Sequence, residues 1–274
     1  MSKAEETLAR IARLADGTGE AALLLGSLDR PGVPLDRYRA HLKGLVDSVA
    51  ASRAALPEDA GPAAAVGCLV QVITEAEGYT GDSQTYDDLQ NANLMRVIDR
   101  RKGLPVALGI LYIHAARGQG WSAFGLNFPN HFLIAVEGPG GRTIIDPYHD
   151  GRLLDTRALR TLLKQVAGAE AELTPERYAA VSDRMILLRL LNNIKLRLIR
   201  NDHHEAALDI VARMRTVMPE EPTLLREAGL LQAQTGNLKA AVGSLRAFLA
   251  SAGGSTAERH HAARVIQILE TRLN

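Results

Sequence analysis

RKGLPVALGILYIHAARGQG, Arg101–Gly120, and NHFLIAVEGPGGRTIIDPY, Asn130–Tyr148, are the two pieces of sequence on which the fold turns. Pro105 suits the first turn of a helix, where its missing N–H has no intrahelical partner to lose and its φ is already helical. Leu104, Leu108, Leu111, Tyr112 and Ala115 recur at three- and four-residue steps, which predicts a helix with a buried stripe, stopped at Gly118 and Gly120. After Trp121 the period becomes two. Phe132, Ile134 and Val136 alternate as in a strand, Gly138-Pro139-Gly140-Gly141 makes a turn, and Thr143-Ile144-Ile145 returns to Asp146-Pro147. One helix therefore feeds a β-hairpin, with His131 and Asp146 expected on its successive strands.

A buried helix followed by strands that carry a His and then an Asp is the layout in which papain-like and transglutaminase-like enzymes assemble a Cys-His-Asp/Asn triad. The Cys opens the helix, where the helix N-terminus and a neighbouring imidazolium favour its thiolate. This stretch resembles the transglutaminase core. That pattern, Gly-x-Cys, an Arg-Ala-x-Gly-like helix end, His-aromatic and Asp-Pro, falls here on Gly103-Leu104-Pro105, Arg117–Gly120, His131-Phe132 and Asp146-Pro147. With Arg100–Pro105, Pro129–Leu133 and Ile145–Tyr148 followed by Gly151–Leu154, the chain resembles more particularly the bacterial SirB-like proteins, which join a transglutaminase core to a tetratricopeptide tail.

The resemblance implies a mostly helical α+β protein: a papain-like core with a small antiparallel sheet, then an all-α tail. It also puts Pro105 where the nucleophile stands, and proline has no thiol. His131 and Asp146 are then the remaining members of a lapsed triad, a hydrogen-bonded pair that can still bind or act as a general base. Asn130, Tyr86, Asp87 and Arg101 are expected to bind around them.

At 274 residues, 46% hydrophobic, the chain is long enough for two domains. They are expected at 1–180, a helical support (1–78) carrying the core (79–160), and at 183–274. A net charge of +1, from 32 basic and 31 acidic residues, provides no global field toward nucleic acid or an anionic membrane. The N-terminal MSKAEETLARIARLADG is charged and amphipathic, unlike a signal peptide, and no apolar run approaches the ~20 residues of a membrane span, so a cytoplasmic protein is expected. The single cysteine, Cys68, forbids an intrachain disulfide.

Helical periodicity predicts helices over Glu5–Ala15 (Leu8, Ile11, Ala12 and Leu14 inward, Asp16-Gly17 as stop), Glu20–Leu28, Asp36–Ala55 and Ala63–Glu77, and a helix over Asn91–Arg101. Cys68 lies in an apolar run, AAAVGCLVQVI, where a thiol ordinarily packs as a small hydrophobe. In the polar loop Gly78–Asp88, residues Tyr86, Asp87 and Asp88 either reach the His131 region or cap the next helix. Arg100-Arg101-Lys102 either holds an anion or forms a solvated face. His114 reads as packing or surface. His131, Asp146, His149 and Asp150, like His203-His204 and His260-His261, are capable metal ligands, but none has a recognised spacing. No metal and no cofactor is expected.

Leu191-x-x-Ile194, Ala207-x-x-x-Val211 and Pro219 follow the tetratricopeptide pattern, and an offset of 34, from 191 to 225 and from 207 to 241, recovers Leu225-x-x-Ala228-Gly229 and Ala241-x-x-x-Leu245. Trp is absent from both first positions, Lys195 replaces a Gly, and Gly253 stands where a second Pro belongs. A closing helix is expected near Thr256–Leu273. The tail either takes a protein or peptide partner or only caps the core. Two readings of the whole follow: a non-catalytic scaffold, or an active hydrolase or acyltransferase in which Cys68 or an activated water works with His131 and Asp146.

Overall fold

The helix that begins at Pro105 is buried on every side in the computed structural model, which describes residues 3–13, 17–57, 60–138 and 140–273. In chain order the elements of the first part are α1 (Lys3–Arg13), α2 (Thr18–Leu28), α3 (Asp36–Arg53), α4 (Pro62–Val70), β1 (Thr80–Gly81), α5 (Leu94–Arg100), β2 (Lys102–Gly103), α6 (Pro105–Gly118), β3 (Ser122–Leu126), β4 (Ile134–Gly138), β5 (Gly141–Asp146), β6 (Arg152–Leu154), α7 (Thr156–Ala167) and β7 (Ala180–Val181). The second part is α8 (Asp183–Arg200), α9 (His204–Val217), α10 (Thr223–Gln234), α11 (Leu238–Ala250) and α12 (Thr256–Leu273). The chain divides into two units, 1–187 and 188–274. No helix among the described residues is long and apolar enough to cross a membrane.

Every residue of α6 from Pro105 to Ile113 is buried, so the expected stripe is in fact a whole helix surface. Helices α2, α3, α4 and α5 surround it together with the sheet. A helix that is apolar all round has to be central, which the all-round Val, Leu and Ile content of VALGILYI dictates. At Gly109 a Cβ would lie 2.5 Å from Phe132 Cε1, so only glycine lets the sheet come this close.

The sheet is antiparallel, in the order β6-β5-β4-β3-β7, with Ile134 opposite Ile145 and Asp146 opposite Arg152. Its central strand β4 is covered on both faces. Phe132 and Ile134 meet Gly109 of α6, while Leu133 and Ala135 join Ile144, Leu159 and Leu163 in a second core under α7. Strands covered twice lose polar–apolar alternation, which is why only half of this pattern was readable. Strands β3, β6 and β7 and helix α7 were not expected. Yet α7 has a legible start, since Asp155 Oδ1 accepts from Ala158 N–H at 2.7 Å as an N-cap.

Two helix boundaries need correction. The expected helix Ala63–Glu77 is α-helical only to Val70 and continues as a wide turn over Gln71–Ala76. The expected helix Asn91–Arg101 is a short tight turn, Leu89–Ala92, and then α5, whose start is capped by Asn93. The Ala12 side chain, Leu14, the Asp16 stop and Pro139 of the hairpin turn lie outside the described residues.

In the tail, α8 with α9 and α10 with α11 follow the repeat offset, and α12 closes the row. Ala207 and Ala241 are fully buried, and at Gly229 a Cβ would lie 2.7 Å from Leu245 Cγ. Lys195, in place of the repeat's Gly, is buried and donates to Glu227 at 2.5 Å. The two inter-helix turns share their backbone: Asp202 has φ 59° and Gly236 φ 80°. Next, His203 (φ −85°, ψ 62°) and Asn237 (φ −83°, ψ 69°) precede α9 and α11, but only Asn237 caps its helix. His203→Asn should therefore add a cap and raise the urea midpoint by the equivalent of about 1 kcal/mol. An unchanged midpoint would mean the two turns are not equivalent.

Candidate functional site

Asp146 ends β5 inside the fold, and all of its acceptor capacity is taken. Its Oδ1 accepts from the backbone N–H of Tyr148 (3.0 Å) and, at 3.4 Å, of His149. Its Oδ2 accepts from His131 Nε2 and His149 Nδ1, each at 2.7 Å. The Asp-Pro-Tyr-His turn makes this arrangement. A carboxylate that caps its own turn brings the residue three positions on back alongside it.

Because Asp146 is an acceptor, the proton on His131 is assigned to Nε2 and that on His149 to Nδ1. Burial pushes the Asp146 carboxyl up, but the hydrogen bonds and charge of His131, then of His149, outweigh it and hold it below the usual carboxylate range. Side-chain exposure is 12% for His131, 4% for Asp146 and 58% for His149, so the site has a buried floor and an open side.

Strained backbone flanks both rings. Asn130, just before His131, has φ 53°, and Asp150, just after His149, has φ 54°. Left-handed conformations cost non-glycine residues free energy and persist only where neighbours hold them. Here Asn130 Nδ2 donates to Val166 O (2.9 Å), and Thr80 Oγ1 donates to Asp150 Oδ1 (3.1 Å). His131 itself stands in the loop before β4, not on the strand as expected. The loop frees its ring from the sheet's alternation and lets it turn toward Asp146.

An aromatic rim continues the site. The rings of His131 and His149 are 5.8 Å apart, Tyr148 stands edge-on to His149 at 5.2 Å, and Tyr86 stands edge-on to Tyr148 at 5.8 Å. Tyr86 thus meets the site through two rings. The Asp146–Gly151 loop is seated against the core: a Cβ on Gly81 would lie 2.5 Å from Tyr148 O, and one on Gly151 2.7 Å from Tyr112 Oη. Gly81 pairs with Gly103, two residues before Pro105, so the first turn of α6 and the Asp146 loop share β1 as a neighbour.

Other expected site residues serve elsewhere. Arg101, at φ 58°, donates to Tyr79 Oη (2.9 Å), Glu77 (2.8 Å) and Ile98 O and covers the Tyr79 ring. It lines a separate cavity with Arg37, His41 and Asp99, not the one beside Asp146. Arg100 is neither an anion holder nor a solvated face, since it donates to Asp82 and Asn91. Asp87 is exposed, whereas Asp88 accepts from Gln90 N–H at 2.9 Å and caps the turn it begins. His114 packs on Gly19. Pro105 occupies the first turn of α6 and is buried. Cys68 is 4% exposed in α4 and makes no hydrogen bond with His131 or Asp146.

His149 is a site residue that sequence reading weighed only as a metal ligand of no recognised spacing; its signal was Asp-x-x-His directly after a strand. Together with His131 and Asp146 it forms a cluster whose three donor atoms lie within 4.8 Å of one another. Asp146 and His149 also line a cavity of about 450 Å³, walled by Arg152, Asp155, Arg157 and Thr161. Such a site can orient a proton donor, act as a base, or hold a cation.

The sequence matches the transglutaminase-like superfamily over residues 36–192 and the tetratricopeptide repeat over 194–270. A UPF0162 protein of Xylella fastidiosa is 33% identical over 159 residues, 56% of either chain, and one of Vibrio cholerae is 28% identical over 213 residues, 77% of either. F-box only protein 21 of Mus musculus is 27% identical over 131 residues, which are 45% of this chain and 20% of that one. The chain thus spans little more than half the length of the Xylella relative. No solved structure matches it.

Proposed function

Because this chain belongs to the transglutaminase-like superfamily and continues into tetratricopeptide repeats, we propose that it is a non-catalytic member, a cytoplasmic scaffold whose first unit keeps the His–Asp site for binding and whose tail docks a protein or peptide. Pro105 carries this reading. Thiol acyl transfer needs a sulfur at the start of α6, beside the imidazole, and proline there has neither a thiol nor an N–H. Cys68 does not replace it, since it is sunk in α4 with no bond to the pair.

The purified full chain is expected to give no turnover with a glutamine peptide and an amine. Its only thiol should resist iodoacetamide until denaturant is added, as buried thiols do. Turnover that disappears in His131→Ala would overturn the reading.

A second reading is favoured by one observation, that Asp146, hydrogen-bonded to His131, lines a cavity: hydrolysis by water activated at His131 and Asp146. Ester or amide hydrolysis that survives alkylation of Cys68 and is lost in His131→Ala would establish it in place of the scaffold.

A further inference from the structure

We propose that His131, Asp146 and His149 form a binding site for a divalent transition-metal cation of the zinc class. Two imidazole nitrogens and one carboxylate oxygen are a donor set that suits zinc and its neighbours, and a three-ligand set leaves a position for water or a ligand. Their spacing is near what a metal requires. Zn–N and Zn–O bonds of about 2.0–2.1 Å in a tetrahedron set donors roughly 3.3 Å apart. In the structure each nitrogen is 2.7 Å from Asp146 Oδ2, and all three atoms fall within 4.8 Å.

The adjustment is small and falls on the side chain free to make it. His149 is 58% exposed, whereas Asp146 is pinned through Oδ1 by the Tyr148 and His149 N–H groups. Those bonds are the outer support that keeps a ligating carboxylate aimed. Binding requires a tautomer exchange and no net loss of protons from the neutral rings. The proton on His131 moves from Nε2 to Nδ1 and that on His149 from Nδ1 to Nε2, while Oδ2 exchanges two N–H donors for the cation.

Location supports the same assignment. The cavity of about 450 Å³ is lined by Asp146 and His149, so two of the three ligands face a space that a cation can enter. Arg152 and Arg157 on its wall favour an anionic group on the metal's free side. Spacing hid this set, because one ligand comes from the loop before β4, one from the end of β5 and one from the turn after it.

The inference does not rest on the loss of thiol chemistry, and its test reads binding directly. Chelator-washed full chain is titrated with Zn²⁺ alone by calorimetry and with Co²⁺ by visible absorption. The expected result is one equivalent of Zn²⁺ and the absorption bands of four- or five-coordinate Co²⁺. His149→Ala and His131→Asn should each weaken binding by more than the roughly 10–100-fold that loss of an outer-shell partner costs. His260→Asn with His261→Asn, in the tail, should leave it unchanged. His149 is at the surface, so its variant should keep the wild-type circular dichroism. Wild-type binding weaker than about 100 µM, binding undiminished in His149→Ala, or binding lost with the tail histidines would overturn the proposal. Failure here leaves the acyl-transfer result, and the scaffold reading, standing on their own measurement.

Discussion

Asp82→Ala is expected to lower the unfolding free energy by about 3–5 kcal/mol, the scale of breaking a buried ion pair by removing one partner. Asp82 is 2% exposed and accepts four hydrogen bonds, from Gln84 N–H (3.2 Å), Thr85 N–H (2.9 Å), Thr85 Oγ1 (2.6 Å) and Arg100 (2.9 Å). Arg100 also donates to Asn91 Oδ1 at 2.8 Å, Asn91 Nδ2 donates to Thr85 O at 2.6 Å, and Asn91 O accepts from Leu104 N–H at 2.9 Å. One carboxylate thus ties the 82–91 loop to α5 and to the start of α6. Asp82→Asn should be only slightly milder, because an amide turns a donor toward donors.

The pH dependence has a definite sign. The Thr85 hydroxyl, against the opposition of burial, and then the Thr85 N–H and Arg100 hold the Asp82 carboxyl well below its usual range. The unfolded chain, with an Asp near 3.9, therefore binds the proton first as pH falls. The contribution of Asp82 is complete above about pH 5 and is lost progressively below that, toward its lowered folded value. Urea unfolding of wild type and Asp82→Ala across this acid range should converge as pH drops. A loss under about 1 kcal/mol at neutral pH, or parallel pH curves, would remove the network from its central role.

Asp146→Asn is the second large effect, expected at about 2–3 kcal/mol of stability together with loss of the site's order. The amide can accept from the turn N–H groups at one end, but its NH₂ then faces the N–H groups of both His131 and His149. Nitrogen-15 spectra of the histidines should show His131 leaving its single Nε2–H tautomer, with Zn²⁺ affinity falling alongside. The wild-type carboxyl is held low, so its contribution is likewise present at neutral pH and lost in acid. A His131 spectrum unchanged in the variant would show that Asp146 does not orient the ring.

Periodicity reports one face of one element, and it served wherever a single face met the core. The start of α6 at Pro105, the β4–β5 hairpin and the 34-residue offset of the tail were legible for that reason, as was the His131–Asp146 pair, since adjacent segments of a hairpin have few ways to meet. The stripe on α6 and the alternation on β4 were each half of a surface buried twice. The edge strands were too short to show a period.

What the sequence by itself determined is therefore the core helix and the hairpin after it, the missing thiol at Pro105 and the repeat that follows in the chain, all of them properties of neighbours along the chain. Only the tertiary structure decided which side chains share Asp146 and where the arginines go. A turn capped by Asp146 itself brings His149 back to the carboxylate, and a buried Asp82 draws Arg100 inward. Polar groups removed from water take whichever partners the packed chain brings within about 3 Å, and spacing along the sequence does not record that choice.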